Sequence, residues 1–239
     1  MMDDFDDIML ARTPTAARPL LGLTVLVVED SRFASEAMRL LCLRSGARIR
    51  RADCLTSARK HLRVYRPSVV VVDLGLPDGS GTDLITELDK ASPRIDVLLG
   101  ISGDPAREGE AITAGADGFL PKPIETLGAF QQAILSHLPE TAQPPTPRRV
   151  PNEAVIPDPF TFREDIAHVA DVLRDRPDGK MLDYIAQFTS GIARSAHDAP
   201  LEAAALELAK DRANGRSVNI GVQRLNGMFK ERLAGGGVV

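Results

Sequence analysis

Short, unbroken apolar runs alternate with amphipathic segments through the first half of the chain. The clearest run is Val69–Val72, and a similar run, Val25–Val28, precedes it. Unbroken β-branched runs of this length are typical of strands buried on both faces, as in a parallel sheet. Between the two runs, apolar residues recur at helical spacing from Arg32 to Ser45 and again from Leu55 to Arg66. This part of the chain therefore predicts strands that are connected by helices.

The alternation continues to residue 139. The predicted strands are Val25–Val28, Arg48–Ala52, Val69–Leu74, Val97–Ile101 and Gly118–Leu120. The predicted helices are Arg32–Ser45, Leu55–Arg66, Thr82–Ala91, Pro105–Ala114 and Glu125–Leu138. Strands and helices in strict alternation predict an α/β fold with a doubly wound, five-stranded parallel sheet of the flavodoxin-like kind. Such sheets bind ligands beyond the carboxyl ends of their strands.

The rest of the chain divides into an arm, a linker and a second domain. Residues 1–21 are acidic and then proline-dotted, which predicts a flexible arm with a short helix over Phe5–Leu10. Residues 140–159 are so rich in proline that we expect an extended linker. Residues 160–239 predict a smaller, all-α helical-bundle domain with a disordered glycine tail. Its predicted helices are Phe162–Arg174, Lys180–His197, Leu201–Ala213 and Val218–Leu233.

Composition narrows the class of protein. The net charge of −4 is too small to imply a polyanionic partner for the whole chain. The chain has neither a basic, then apolar, start nor a run of about 20 apolar residues, so we expect a cytoplasmic protein without a membrane segment. Cys42 and Cys54 lack metal-ligand spacing and are expected to be free thiols.

Polar residues follow the apolar runs, where the sheet rule places a ligand site. Glu29 and Asp30 end the first strand, Asp73 the third and Ser102 the fourth, and Lys122 follows the fifth. Three carboxylates at one edge repel each other unless a cation lies among them, and Mg²⁺ prefers such oxygen ligands. Asp73 could then act as a nucleophile and form an acyl phosphate. Ser102 and Lys122 would contact the phosphoryl oxygens.

Four motifs resemble those of the response-regulator receiver family and occur in the order that the family has. The resemblance covers residues 22–139, which are about half of the chain. The motifs are Val27–Ser31, Val72–Gly81, Ile101–Gly103 and Ala114–Pro123. The resemblance implies that Asp73 is the phosphoacceptor and that a histidine kinase or a phosphotransfer protein donates the phosphoryl group. It implies a Mg²⁺ site at Glu29, Asp30, Asp73 and the backbone carbonyl of Gly75. It implies phosphoryl-binding and switch roles for Ser102, Lys122 and Phe119, and a cis Lys122–Pro123 peptide bond.

Three glycines bear on the site. Gly75 lacks the side chain that is common at this position in the family, so the dephosphorylation rate is left open. Gly100 and Gly103 flank the switch position and are expected to loosen the loop after the fourth strand.

The sequence of the helical domain does not resemble a family that we recognise. It carries no enzyme motif, so we expect no enzyme activity beyond slow self-dephosphorylation. Neither His168 nor His197 is followed by the lysine and glycine that a phosphotransfer bundle has, so both are expected to be ordinary surface or capping residues. The apolar residues at helical spacing favour the core of a small helical bundle, and a dimer surface could share the same residues.

We therefore favour a protein-interaction or dimerisation output that phosphorylation of Asp73 switches. The alternative is a phosphorylation-controlled transcription regulator that binds DNA through its last two helices, where the basic residues are concentrated. Two features weigh against that alternative. The domain as a whole is slightly acidic, and the joint of Asp211–Ser217 is long for a helix-turn-helix.

Overall fold

The computed structural model describes residues 13–124, 126–144, 150–175 and 177–235. All five predicted strands are present in it. They are β1 (Thr24–Val28), β2 (Arg48–Ala52), β3 (Val69–Asp73), β4 (Val97–Ser102) and β5 (Gly118–Pro121). They form one parallel sheet in the order β2-β1-β3-β4-β5. This order confirms the predicted doubly wound, flavodoxin-like α/β fold.

Four helices connect the strands, a fifth follows the last strand, and together they cover both faces of the sheet. They are α1 (Arg32–Ser45), α2 (Leu55–Val64), α3 (Gly81–Asp89), α4 (Glu108–Thr113) and α5 (Leu127–Leu135). The helix predicted from Pro105 begins instead as a 3₁₀ turn, Pro105–Arg107, which Asp104 caps by accepting from the Ala106 N–H at 3.0 Å. The predicted fifth helix ends short of Leu138, at Leu135.

Successive residues of the central strands point into two separate cores. Val69 and Val71 of β3 pack with α1 and α5, whereas Val70 and Val72 pack with α2, α3 and α4. Every residue of β3 is buried, which explains why its sequence is an unbroken apolar run before Asp73. Both cysteines are free, as predicted.

The sheet domain begins before the predicted boundary at residue 22. Leu20, which the sequence assigns to the flexible arm, is fully buried in the core under α1 and α5. Its N–H donates to the Ser45 carbonyl at 2.9 Å, so the end of the arm is part of the domain. The predicted short helix over Phe5–Leu10 lies outside the described residues.

The described part of the predicted linker lies on the sheet domain. After a 3₁₀ turn at Glu140–Ala142, residues 150–155 return to the start of α5. There the N–H groups of Leu127 and Gly128 donate to the carbonyls of Glu153 and Pro151 at 2.9 and 3.0 Å. Val155 packs against the core. Proline cannot donate a hydrogen bond, but its carbonyl still accepts one, so a proline-rich segment can satisfy a helix N-terminus.

The second domain is the predicted four-helix bundle. Its helices are α6 (Pro159–Arg174), α7 (Gly179–Ser195), α8 (Ala199–Ala213) and α9 (Asn219–Ala234). α6 and α8 begin two or three residues earlier than predicted, because Pro159 and Pro200 lie in their first turns, where proline is tolerated. Asp158 and Asp198 cap these two helices.

The apolar residues that were predicted at helical spacing form the core of this bundle. Those buried are Ile185, Phe188, Ile192, Leu201, Ala205, Leu208, Leu225 and Phe229. They are therefore not free to form a separate dimer surface. None of the described helices is long and apolar enough to cross a membrane.

Candidate functional site

Four neighbouring strands end in or beside polar residues that meet at the carboxyl edge of the sheet. Asp73 is the last residue of β3 and Ser102 the last residue of β4. Glu29 and Asp30 follow β1, and Lys122 follows β5. Because these strands are adjacent and parallel, their carboxyl ends lie side by side. All five residues line one open cavity of about 760 Å³.

Lys122 joins the two most deeply buried carboxylates of the site. Its Nζ lies 2.5 Å from Glu29 Oε2 and donates a hydrogen bond of 2.6 Å to Asp73 Oδ2. Its backbone N–H donates to the Ser102 carbonyl at 2.8 Å, which fixes where the side chain leaves the sheet. The Lys122–Pro123 peptide bond is cis. Burial disfavours the ammonium, but the charges of Asp73 and Glu29 outweigh burial and raise the pKa of Lys122.

Glu29, Asp30 and Asp73 form an acidic cluster that could hold a metal ion. Each brings a carboxylate oxygen to within 4.8 Å of the others. Burial raises the pKa of Glu29 well above its usual value and that of Asp30 to about 7, and the charge of Asp73 acts in the same direction. The buried Glu29 Oε2 contacts the Lys122 ammonium. The three carboxylates form an all-oxygen donor set, which fits a hard divalent cation.

The Asp73 carboxylate is held from two sides. Oδ1 accepts a hydrogen bond of 3.1 Å from the Gly75 N–H, and Oδ2 accepts the one from Lys122. Gly75 opens a short antiparallel ladder in which residues 75–76 pair with residues 79–80. The loop after β3 therefore folds back beside the acceptor oxygen and leads directly into α3.

Gly81, the first residue of α3, lies against the backbone of Asp73. A Cβ at this position would be 1.9 Å from the Asp73 carbonyl oxygen. Because β3 is buried along its whole length, the strand cannot move away. We expect Gly81→Ala to lower the free energy of unfolding by about 3 kcal/mol, the upper range for overpacking. Urea unfolding followed by circular dichroism measures this.

The matched control for this prediction is Gly109→Ala in α4. A Cβ there would meet nothing within 4 Å, so this substitution should leave stability unchanged or raise it by up to about 1 kcal/mol. Equal stability of the two variants would contradict the close approach of Gly81 to Asp73.

Phe119 lies outside the cavity, half-buried on the α4 side of the sheet. Gly100 makes room for it, because a Cβ at residue 100 would lie 2.7 Å from Ala111 Cβ and 3.4 Å from the Phe119 ring. Gly100 also pairs with Val72 and with Phe119 in the sheet. Gly100 therefore permits close packing within a paired strand, and the looseness of the loop that follows stays a prediction.

A known protein family matches the segment of the chain that forms the sheet and its helices. The family model of the response regulator receiver domain matches residues 25–134. Residues 25–134 are a response regulator receiver domain. The match confirms the resemblance that the four motifs carry, and it ends before the helical domain.

Curated relatives match the receiver domain as well. The KDP operon transcriptional regulatory protein KdpE of Escherichia coli is 30% identical over 124 residues, which are 51% of this chain and 55% of that protein. The virulence transcriptional regulatory protein PhoP of Salmonella typhimurium is 33% identical over 120 residues, 47% of this chain and 52% of that protein. This chain thus spans about half the length of these relatives. The solved chemotaxis response regulator CheY4 of Vibrio cholerae is 20% identical, with a TM-score of 0.43, covering 48% of this chain and 98% of that one.

The helical domain packs on the carboxyl edge of the receiver, a contact that the sequence did not predict. Asp165 of α6 is 2% exposed, and its carboxylate accepts three hydrogen bonds at the start of α1. The donors are the Ser31 hydroxyl at 2.7 Å and the N–H groups of Arg32 and Phe33 at 2.8 and 3.0 Å. These two N–H groups have no partner within α1, because the first turn of a helix lacks one. Asp165 therefore caps a receiver helix from the other domain.

Helix α7 lies over the acidic cluster. The Tyr184 hydroxyl donates a hydrogen bond of 2.6 Å to Asp30 Oδ2. Burial and then the charge of Asp30 raise the pKa of Tyr184, so the phenol stays a donor at neutral pH. One turn further along, the side chain of Gln187 lies against Gly75. The cavity is thus lined by both domains.

The two histidines of the helical domain lie away from this site. The His168 ring is 6.3 Å from the Phe188 ring in an edge-on contact, and His197 follows α7 with a positive φ of 56°. Neither is among the described residues that line the cavity.

One signal in the sequence could have revealed the contact between the domains. Phe162, Asp165, Ile166 and Val169 follow one another at helical spacing, so Asp165 falls on the apolar face of α6. A carboxylate on such a face needs a donor from outside its own helix. Tyr184 and Gln187 carried no comparable signal.

Proposed function

We propose that this protein is a two-component response regulator that accepts a phosphoryl group on Asp73. The donor is the phosphohistidine of a histidine kinase or a phosphotransfer protein in the cytoplasm. The observation that carries the proposal is the Asp73 carboxylate, buried at a strand end 2.6 Å from the Lys122 ammonium and grouped with Glu29 and Asp30. An exposed carboxylate in a turn would have neither partner.

In the transfer, an Asp73 carboxylate oxygen forms a bond to phosphorus while the bond from phosphorus to the donor nitrogen breaks. The nitrogen keeps the electron pair, so the donor leaves as histidine. Lys122 compensates the negative charge on the phosphoryl oxygens. Ser102, which lines the same cavity, donates a hydrogen bond from its hydroxyl to one of these oxygens. When this hydroxyl moves toward the phosphoryl group, the ring of Phe119 turns inward as the aromatic switch residue.

A magnesium ion fits this proposal through the donor set of the site. Asp30, Asp73 and the Gly75 carbonyl would hold the ion, and Glu29 would act through water. When bound, the ion neutralises charge on the transferring group.

The helical domain is the proposed output, acting on a protein partner or a second copy of the chain. Its contact with the receiver supplies the coupling. The Tyr184 hydroxyl uses the same carboxylate, Asp30, that a cation at the site would need. Occupation of the site and docking of α7 therefore influence each other, and a ligand that favours one arrangement shifts the population of the two. We propose that phosphorylation shifts this population toward the released arrangement, in which the docked face of the helical domain is exposed, and that the domain returns to the site by docking again.

The charges of the helical domain support the DNA-binding alternative less than they support an output that acts on a protein. The relatives are named as transcriptional regulators, but their matches cover about half of their length. The basic residues that are concentrated late in the chain are Lys210, Arg212, Arg216, Arg224, Lys230 and Arg232. Four of these six are paired with carboxylates of the same domain. The pairs are Arg212–Asp183, Arg216–Asp211, Arg224–Glu207 and Arg232–Asp198. Paired guanidinium groups offer fewer free charges to phosphates.

The proposed function is tested by incubating the full chain with acetyl [³²P]phosphate and Mg²⁺. We expect one phosphoryl group per chain, in a linkage that hydroxylamine cleaves, as an acyl phosphate requires. Chelation of Mg²⁺ should abolish labelling. Absence of label under these conditions would reject the proposal.

Binding to duplex DNA discriminates the two outputs. We expect no binding of the phosphorylated or the unphosphorylated chain to random duplex DNA in fluorescence anisotropy, even at low salt. Binding that weakens as salt rises, the signature of phosphate contacts, would favour the transcription regulator instead.

A further inference from the structure

The side chain of Gln187 occupies the space beside the acceptor that Gly75 leaves free. Gly75 is two residues after Asp73, and its N–H donates to Asp73 Oδ1 at 3.1 Å. A Cβ at residue 75 would be 2.1 Å from Gln187 Nε2 and 3.1 Å from Gln187 Oε1. The amide therefore lies against Gly75, and Gln187 lines the cavity that Asp73 also lines. The polar group missing from the receiver at this position is supplied by the helical domain.

Two neighbours of Gln187 on the same face of α7 contact the receiver. Tyr184 precedes Gln187 by three residues, and its hydroxyl donates a hydrogen bond of 2.6 Å to Asp30 Oδ2. Gly191 follows by four residues, and its Cα lies 3.5 Å from where a Cβ of Gly103 would be. Residues at these spacings share one side of a helix. The helix is thus fixed on both sides of Gln187, and glycine at 75 and 103 allows its close approach.

We propose that Gln187 positions the water that hydrolyses the acyl phosphate on Asp73, so that the docked helical domain ends the phosphorylated state. This inference rests on the proposed phosphoacceptor role of Asp73. Water forms a bond to phosphorus, and the bond from phosphorus to the Asp73 oxygen breaks. Asp73 leaves as a carboxylate, and both hydrogens of the water remain on the product, dihydrogen phosphate.

The amide suits this role because it has an acceptor and a donor and stays neutral. Oε1 can accept a hydrogen bond from the water while Nε2 donates to a phosphoryl oxygen, which sets the line of attack. No proton moves to the amide, so Gln187 is a positioning residue. Alignment of this kind supports an effect of roughly tenfold, a small part of what orientation can contribute.

The test measures how long the acyl phosphate lasts. Each full-length variant is labelled with acetyl [³²P]phosphate and Mg²⁺, the donor is removed by rapid gel filtration, and loss of protein-bound label is followed. Gln187→Met keeps the length of the side chain and removes the amide. We expect it to lengthen the lifetime roughly tenfold. Gln132→Met, at an exposed position in α5, is the matched control and should not change the lifetime.

A purely structural role for Gln187 predicts a different result. If the side chain only fills space, Gln187→Ala would open the site to water and shorten the lifetime, whereas positioning predicts that Gln187→Ala also lengthens it. Docking is checked separately by amide hydrogen exchange of Arg32 and Phe33, which Asp165 protects and which Gln187→Met should leave slow.

The outcomes separate the two proposals. A lifetime that is unchanged or shortened in either Gln187 variant would overturn the role of Gln187 alone. Failure of the wild-type chain to take up label would overturn the phosphoacceptor role itself.

Discussion

Asp73→Asn protein is expected to take up no hydroxylamine-sensitive phosphoryl group from acetyl phosphate. Asparagine has nearly the same shape as aspartate, and its carbonyl oxygen can accept from one of the two donors, Lys122 or the Gly75 N–H, so we expect the chain to fold. The amide, however, is a poor nucleophile toward phosphorus and cannot form the acyl phosphate. The predicted effect is complete loss of labelling in a folded chain. Incorporated ³²P per chain and circular dichroism measure the two parts of this prediction.

Asp83→Asn is the matched control, since it removes an exposed carboxylate from the first turn of α3. It should be labelled like the wild-type chain. Label retained in full by Asp73→Asn would place the acceptor on another residue, and the strand-end site would then have to serve a different reaction.

Asp165→Ala is expected to release the helical domain from the receiver. The substitution removes the acceptor of three hydrogen bonds and leaves the N–H groups of Arg32 and Phe33 without a partner. Losing a charged acceptor shared by several buried donors costs roughly 3 kcal/mol, a shift of more than a hundredfold in the docking equilibrium. Burial raises the pKa of Asp165, but three donors to the carboxylate oppose that shift.

Hydrogen exchange is the sharpest measurement of this release. The Arg32 and Phe33 amides lie in the first turn of α1, where no helix carbonyl protects them, so their exchange reports the contact with Asp165 directly. We expect their exchange to accelerate by about a hundredfold. The chain has no tryptophan and two tyrosines, so in a Tyr65→Phe background the fluorescence of Tyr184 gives a second report.

Asp171→Ala serves as the control for this experiment. Asp171 is on the same helix, but it is exposed and pairs with Arg174 of that helix, so its loss should leave both amides slow. Slow exchange of Arg32 and Phe33 in Asp165→Ala would mean that the domains are not held together through this carboxylate.

The sequence predicted the receiver well because its signals are local. An apolar strand such as β3 is recognised from its own residues, and the sheet rule then places Asp73, Ser102 and Lys122 at one edge. Leu20 was assigned to the flexible arm because the prolines around it predict an irregular segment, and a single leucine does not indicate burial. The contacts of residues 150–155 with the sheet domain could not be predicted, because composition does not show which backbone carbonyls accept hydrogen bonds.

The contact between the domains could not be derived in the same way. Asp165 and Ser31 are 134 positions apart, and no periodicity links them. The charge of Asp165 on an apolar helix face was the one hint. It indicated a buried donor without saying where the donor lies. Gln187 offered less still, since a glutamine on a helix is ordinarily a solvated residue.

The attachment of Val155 to the receiver core limits how far the helical domain can travel. Only residues 156–158 separate this anchor from the start of α6, and three extended residues span about 10 Å. A released bundle would therefore pivot on a short tether, at an effective concentration in the millimolar range. Any partner that competes for its docked face must overcome that local concentration, so a weak partner would capture the bundle only while Asp73 is phosphorylated.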